Sequence, residues 1–530
     1  MLALVAAACG GESDTAADAG GGDDATTGST APEQIEGEAP EVATTDTIVI
    51  GVPTLQEQYV DPHFAVGGLL FPMRWAISET LYRQNEQLAW EPNMATGYEI
   101  SDDNLTWTFT LRDDILMQDG SNFTANDVKT AIDRILGSED FAHLATFRAN
   151  VSGAEVIDDY TVAITTNGPY ATLLSDMPPP IPTDYYNEVG EEGFRAKPIA
   201  AGAWKFESQE LNASITYSRF DDFFDESRKP NFEHLVYKII PDESARVAGL
   251  QTGDLDMAFG LTALSASQLE QGGDTRVIES PDTGMAYLFP LDLVAPDEAS
   301  PLQDVRVRKA LLMAIDRDAI ATSLYQGYAR VPAGALPPTT LGYDPDLAPY
   351  PFDPDAAKAL LEEAGASDLT ITLNSYNSTP TVPDVVKLGE TVAAYWEQIG
   401  VTVNMNVVDT ATILPAWRGR QLRGMGLLAG PSQYYDEPSR LMSSFFTTEA
   451  SYSTVSDPEL DALAEQLDVT VDMDEREKLG VELDTLLYDQ LYGLPLILVS
   501  SLIGVGPDVA TFEPMLGSPY AGPLWSLQAN

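Results

Sequence analysis

Two stretches of the chain carry side chains suited to holding a solute. Ser432-Gln433-Tyr434-Tyr435-Asp436 sets two flat amphipathic rings beside a carboxylate. Such rings stack on sugar faces and equally pack beneath loops, and both readings stand. Trp417 precedes Arg418, Arg420 and Arg423, the densest basic spot in an acidic chain. A guanidinium there fits a ligand carboxylate in bidentate fashion, or is solvated and paired with nearby acids. His63 follows Asp61-Pro62; as a lone histidine it reads as structural before it reads as a metal ligand. His63, His143 and His234 are the only histidines and Cys9 the only cysteine, so a multi-histidine metal site would need nearly all of them. A Cys-based metal site and an internal disulfide are both out of reach.

Catalytic motifs are missing. The chain has no G-x-S-x-G, P-loop, H-E-x-x-H or G-x-G-x-x-G. A carboxylate-pair glycosidase needs two marked acids, and none of the 82 Asp and Glu is set apart from the others. A cell-surface hydrolase is therefore a rival reading without a motif, and a non-enzyme is the expectation.

The 82 acids face 28 Lys and Arg, a formal net charge of −54. Such a surface repels nucleic acid, whose binding rests on cations that neutralise phosphates. It suits a salty medium, where screening reduces self-repulsion. At 530 residues the chain exceeds one ordinary domain.

The N-terminus reads as an address. Met1 to Ala8 is apolar and ends in small residues before Cys9-Gly10-Gly11, similar to the tail of a bacterial lipoprotein signal in which the cysteine is lipidated. Residues 10–45 are dominated by Gly, Ala, Ser, Thr, Asp and Glu, a composition that cannot offset its ordering entropy and is expected to be a disordered acidic tether. The expected order is lipid anchor, tether, globular body on the outer face of the cytoplasmic membrane. No other segment has about 18 uninterrupted apolar residues.

The body starts with Thr47 to Val52, a short apolar run read as a buried strand. Thr106 to Leu111 alternates, with Trp107, Phe109 and Leu111 on one face. Thr124 then caps a helix with Asp127 at its third position and Val128, Ile132 and Ile135 as its stripe. Asp353-Pro354 opens a helix that Gly365 ends, and Leu369, Ile371 and Leu373 alternate in the next strand. Val385, Leu388, Val392, Trp396 and Ile399 form a helical stripe leading into a strand with Val401, Val403, Met405 and Val407 on one face. Ser456-Asp-Pro-Glu459 caps a helix through Leu460, Leu463 and Leu467. This alternation predicts α/β lobes.

Ser101 to Arg134 resembles, residue by residue, a signature of the oligopeptide/dipeptide/nickel-binding family of ABC solute-binding proteins (family 5). Asp304-Val-Arg306-Val-Arg308-Lys-Ala-Leu and Ala314-Ile-Asp-Arg317 resemble a helix of that family, with weaker support at Val60–His63, Ala203–Phe206, Leu250–Asp256 and Gly342–Pro345. Arg306 and Arg308 read as surface or interlobe salt-bridge partners of Asp304 and Asp316. The resemblance implies a two-lobed periplasmic-binding-protein-like α/β fold of type II, with mixed sheets, flanking helices and a hinge between lobes. By analogy lobe I comprises 46–82, 196–283 and 496–530, its inserted subdomain 83–195, and lobe II 284–495, after the signal remnant 1–9. The implied function is that of the extracytoplasmic component of an ABC importer, a monomer without cofactor or metal. It would capture an oligopeptide between the lobes and deliver it to a permease and ATPase complex. An oligosaccharide ligand, or a non-transporting receptor on the same fold, are the alternatives.

The family's peptide-holding positions correspond to Gln56, Glu57, Gln58 and Tyr59 on one flank and about Gly430 to Asp436 on the other, to which Trp417 is added for its basic neighbours. Aligned on Pro438, the acid that commonly pairs with a peptide amine falls on Tyr434, and Asp436 lies two residues later. Either Asp436 substitutes for it, or the ligand has no free amine.

Overall fold

Leu494–Val505 is apolar at nearly every position, the pattern of a strand covered on both faces, and it lies in the middle of an 11-stranded sheet. The computed structural model describes residues 45–54, 60–63, 76–85, 89–141, 144–294, 299–377, 379, 382–431, 437–514, 524 and 526–530. Cys9, Gln56–Tyr59 and Ser432–Asp436 therefore lie outside the described residues. On one side of Leu494–Val505 the sheet continues through Met257–Leu261, Thr47–Val52, His234–Ile239, Ser214–Arg219 and Trp204–Glu210. On the other it runs through Arg276–Pro290, Met425–Pro431, Thr370–Tyr376 and Thr402–Val408.

Two long strands thus join the halves. Arg276–Ser280 pairs with Ser501–Val505 and Gly284–Leu288 with Leu494–Val499, and the register shifts between Ser280 and Gly284. An irregularity of this kind bends a strand locally. Here it places Asp282 at φ 56°, ion-paired with Arg330. The Thr283 hydroxyl donates to Ser501 Oγ at 2.8 Å.

Of five apolar clusters among the described residues, three are large. The first gathers Ile48, Ile50, Trp204, Tyr217, Tyr237, Ile503, Val505 and Leu527. The second takes all its buried members from Met285 to Val499, among them Leu311, Leu373, Trp396, Leu427 and Leu487. The third contains Trp107, Phe109, Val128, Ile132, Ile164 and Leu173, around the four-stranded sheet Ala95–Ile100, Thr106–Leu111, Thr161–Thr166 and Val151–Asp158.

Local signals decided these elements. Trp107, Phe109 and Leu111 are buried as their alternation requires. The helix Ala125–Leu136 is preceded by Thr124, whose backbone N–H donates to Asp127 Oδ2 at 2.7 Å. The helix Pro354–Glu363 starts at Asp353, whose carboxylate accepts from Ala356 N, and Gly365 beyond it takes φ 70°. Asp457 does the same for Pro458–Val469, which buries Leu460, Leu463 and Leu467.

The strand expected at 401–407 is present, and its apolar residues are unevenly covered. Thr402–Val408 is the edge strand of the sheet, and although Val401 is buried, Met405 and Val407 stand 36% and 37% exposed. The helix Val385–Gln398 approaches this face at Gly389, whose added Cβ would lie 3.2 Å from the Met405 side chain, and leaves the rest of it partly open. Arg308 is a correction. It is buried and donates to the carbonyls of Leu302, Gln303 and Gln490 instead of to a carboxylate. Arg306 does form the expected salt bridge with Asp304 and a further one with Glu363, while Asp316 accepts from Ala319 N at the start of the helix Arg317–Ser323.

A polar cluster lies inside the second half. Asp484 accepts from the backbone N–H groups of Ala335 and Leu336 on Oδ1 and of Asp344 on Oδ2. Burial nevertheless pushes its carboxyl up to about 6. Close by, Gly342 has φ 80°, and a Cβ on it would sit 2.3 Å from Gly480 Cα.

Candidate functional site

The two segments expected to face a ligand each end on a described acid–proline step, and each acid is held by a buried arginine from a distant helix. On the first flank, Thr47–Val52 leads to Pro53 and Thr54, and the described chain resumes at Val60-Asp61-Pro62-His63. Arg134, on the helix Ala125–Leu136, donates Nη1 to Asp61 Oδ1 at 2.9 Å and Nη2 to Oδ2 at 2.5 Å. Its Nε and Nη2 also reach the two oxygens of Glu191 at 2.8 Å each. The rings of Phe141 and Phe194 lie 4.9 Å from its guanidinium carbon. Burial opposes ionisation of Glu191, yet the hydrogen bonds and charge of Arg134 carry its carboxyl down to about 2.

His63 completes this knot. Its Nε2 lies 2.7 Å from the Pro179 carbonyl, which can only accept, so Nε2 carries the proton. Nδ1 then accepts from Arg134 Nη1 at 3.0 Å. Both ring nitrogens are occupied, and the fully buried imidazole is structural, the first of the two roles the sequence offered. Among the described residues no group of three or more His, Cys, Asp or Glu could hold a metal ion.

On the second flank, Met425–Pro431 pairs antiparallel with Gly284–Pro290 over its whole length. Its other edge pairs with Leu373 and Asn374 at Met425 and Gly426 only. No described strand pairs with that edge from Leu427 to Pro431. Beyond 432–436 the chain resumes at Glu437-Pro438. Arg476, on the helix Met473–Gln490, donates Nη2 to Glu437 Oε2 at 2.7 Å, with side chains 0% and 5% exposed. Arg476 Nε and Nη1 have no hydrogen-bond partner among the described residues.

Trp417 does not join this edge as a surface ring. It is 2% exposed, with Phe289 and Tyr452 edge-on to it at 6.1 and 6.5 Å. Its ring packs so closely on the strand that a Cβ on Gly426 would sit 2.6 Å from it. The arginines after it serve neighbours. Arg418 reaches the Tyr452 hydroxyl, Arg420 the Thr448 carbonyl, and Arg423 the carbonyls of Arg420 and Leu422.

Four residues near these acid–proline steps were not singled out from sequence as parts of a site: Arg134, Arg476, and Arg440 with Asp176, whose Oδ1 accepts from Arg440 Nη2 at 2.8 Å. Arg134 closes the Ser101–Arg134 block, and Arg440 and Glu437 flank Pro438, so the acid–proline steps were the available signal. No spacing rule couples them to partners 39 to 264 residues away.

Two lobes joined by paired long strands, with an additional cored subdomain, define a periplasmic-binding-protein fold. Residues 89–453 match the family described as bacterial extracellular solute-binding proteins, family 5 Middle, and the chain belongs to that family. It is 26% identical over 461 residues to heme-binding protein A of Haemophilus influenzae, covering 81% of this chain and 82% of the relative. It is 26% identical over 431 residues to the dipeptide-binding protein of Escherichia coli K12, covering 75% and 79%. The solved structure of HbpA2 from Haemophilus parasuis superposes with a TM-score of 0.79 at 22% identity, covering 91% of this chain and all of that one. Among the described residues no helix is long and apolar enough to cross a membrane.

Proposed function

We propose that this solute-binding protein captures an oligopeptide in the cleft between its lobes and hands it to an ABC permease, acting as a monomer without catalysis. Gln56–Tyr59 and Ser432–Asp436 are the ligand-contacting segments in this reading, and Cys9 is the lipid-bearing residue that tethers the body outside the cytoplasmic membrane. Trp417 contributes as a packed support beneath the strand Met425–Pro431. The lobes are those bounded at 82/83, 195/196, 283/284 and 495/496.

One observation carries the peptide reading. The edge of Met425–Pro431 beyond Gly426 has no described strand partner and leads straight into 432–436. An extended peptide can add to such an edge through its backbone, leaving side-chain identity to roomy pockets. A dipeptide-binding relative fits this reading. The tyrosine pair keeps an oligosaccharide as the second reading.

A thermal-shift screen of the protein against peptides of about two to six residues and a panel of oligosaccharides tests it. A ligand at a hundredfold its Kd adds about 2.7 kcal/mol to stability. Shifts with peptides that vanish on N-acetylation assign amine capture to an acid, Asp436 first. Shifts with sugars alone overturn the peptide reading. Turnover of chromogenic peptides or glycosides would overturn the non-enzymatic one.

A further inference from the structure

We infer that Arg440 and Asp176 form a latch between the lobes, so that Arg440 determines solute affinity without touching the solute. The inference rests on the proposed capture by lobe closure, and goes beyond it in naming the contact that biases closure.

Arg440 lies on the short helix Pro438–Leu441, whose Leu441 belongs to the second core. Asp176 ends the helix Leu173–Asp176, whose Leu173 belongs to the third core. The two side chains meet across 264 positions of sequence. Arg440 Nη2 donates to Asp176 Oδ1 at 2.8 Å and to Ser175 Oγ at 2.6 Å.

The acceptor is prepared from its own side. Asp176 Oδ2 accepts from the Tyr170 hydroxyl at 2.6 Å and from Thr172 Oγ1 at 2.7 Å. Tyr170 is itself 4% exposed and part of the third core. One oxygen is thus satisfied locally and the carboxylate is fixed, while the other oxygen is turned toward the opposite lobe. A second contact accompanies the pair, since Val471, between two helices of the second half, packs against the third core. The subdomain and the second lobe otherwise have separate cores. Opening the lobes must break the Arg440 pair and bare Val471.

A contact made only in the closed state shifts the open–closed balance by its own free energy. Apparent affinity falls by the same factor as the closed fraction when the contact is removed. The pair is partly exposed, 30% and 19%, so the expected factor is about two- to fivefold.

The test uses the full chain with Cys9→Ser, nitroxide labels at Asp184→Cys and Glu465→Cys, and pulsed dipolar distance measurement without ligand. Both label positions are exposed, one in the subdomain and one in the second lobe. Arg440→Met and Asp176→Asn are each expected to move about two- to fivefold more of the population to the long distance. The double variant should add nothing further, Arg440→Lys should restore part of the short distance, and the melting temperature should hold. Distance distributions identical in all variants overturn the latch, and so does a shift in the double variant equal to the sum of the singles. The distances are read without solute, so a failed peptide screen beside a shifted distribution would sink the peptide reading and leave the latch standing.

Discussion

Glu437 and Arg476 are joined at 2.7 Å with both side chains sealed from solvent, immediately beyond the segment expected to face the ligand. Asp61 and Arg134 repeat the arrangement on the other flank, at 0% and 1% exposure. In each, the acid of an acid–proline step next to a segment expected to face the ligand is pinned by an arginine from a helix of another part of the chain.

Removing one partner of such a pair strands a buried charge and costs about 3–5 kcal/mol, whereas replacing both by apolar groups is often nearly neutral. Arg476→Met is expected to lose that amount in urea unfolding, and Glu437→Met with Arg476→Met to recover most of it. An additive double variant would mean that the two side chains do not act on each other.

Asp484 supplies a pH signature. Its carboxyl ionises near 6 in the folded chain, against 3.8 for an ordinary aspartate. The folded state therefore holds a proton that the unfolded state has released, and stability falls as pH rises between about 4 and 6, by roughly 3 kcal/mol at most. Asp484→Asn is expected to flatten this part of the stability profile, read as melting temperature from pH 4 to pH 7. Glu191 works in the opposite direction. Its carboxyl is held near 2, so its contribution is present at neutral pH and fades as pH falls from about 4.5 toward 2.

Gly342 has no room for a side chain. With Gly480 Cα 2.3 Å from any added Cβ and a φ of 80°, Gly342→Ala is expected to cost about 3 kcal/mol or more, combining backbone strain with a clash that neither helix nor loop can yield to. Gly253→Ala, at a similar φ but with open space around it, should lose only about 1 kcal/mol.

Trp417 offers a test of packing against ligand contact. Trp417→Ala should destabilise by about 3–5 kcal/mol, and Trp417→Phe by less, while ligand-induced shifts in melting temperature persist in the Phe variant. Loss of those shifts with unchanged stability would return Trp417 to the binding surface.

Much of the fold was legible because its signals are local. A strand that alternates Trp107, Phe109 and Leu111, a Thr124–Asp127 start and an Asp353-Pro354 cap each state their conformation within a few residues. The edge position of Thr402–Val408 was not legible, since periodicity says which residues share a face and nothing about whether a neighbour covers it. Arg308 misled for a related reason. An arginine beside Asp304 reads as a salt-bridge partner, and only the fold brings the Gln490 carbonyl to it. The two segments expected to face a ligand lie outside the described residues, and the arginines that hold the acids next to them were not legible, because tertiary contacts at such separations leave no spacing in the sequence.

The three cores also differ in when they can be completed during synthesis. Among the described residues, every buried member of the second core falls between Met285 and Val499, so those members all emerge within one continuous stretch. The core around Ile48 and Ile50 waits for Ile503, Val505 and Leu527, far along the chain. The strand Thr47–Val52 is thus translated long before part of the core that buries it. Until then its apolar face lacks the cover those residues supply.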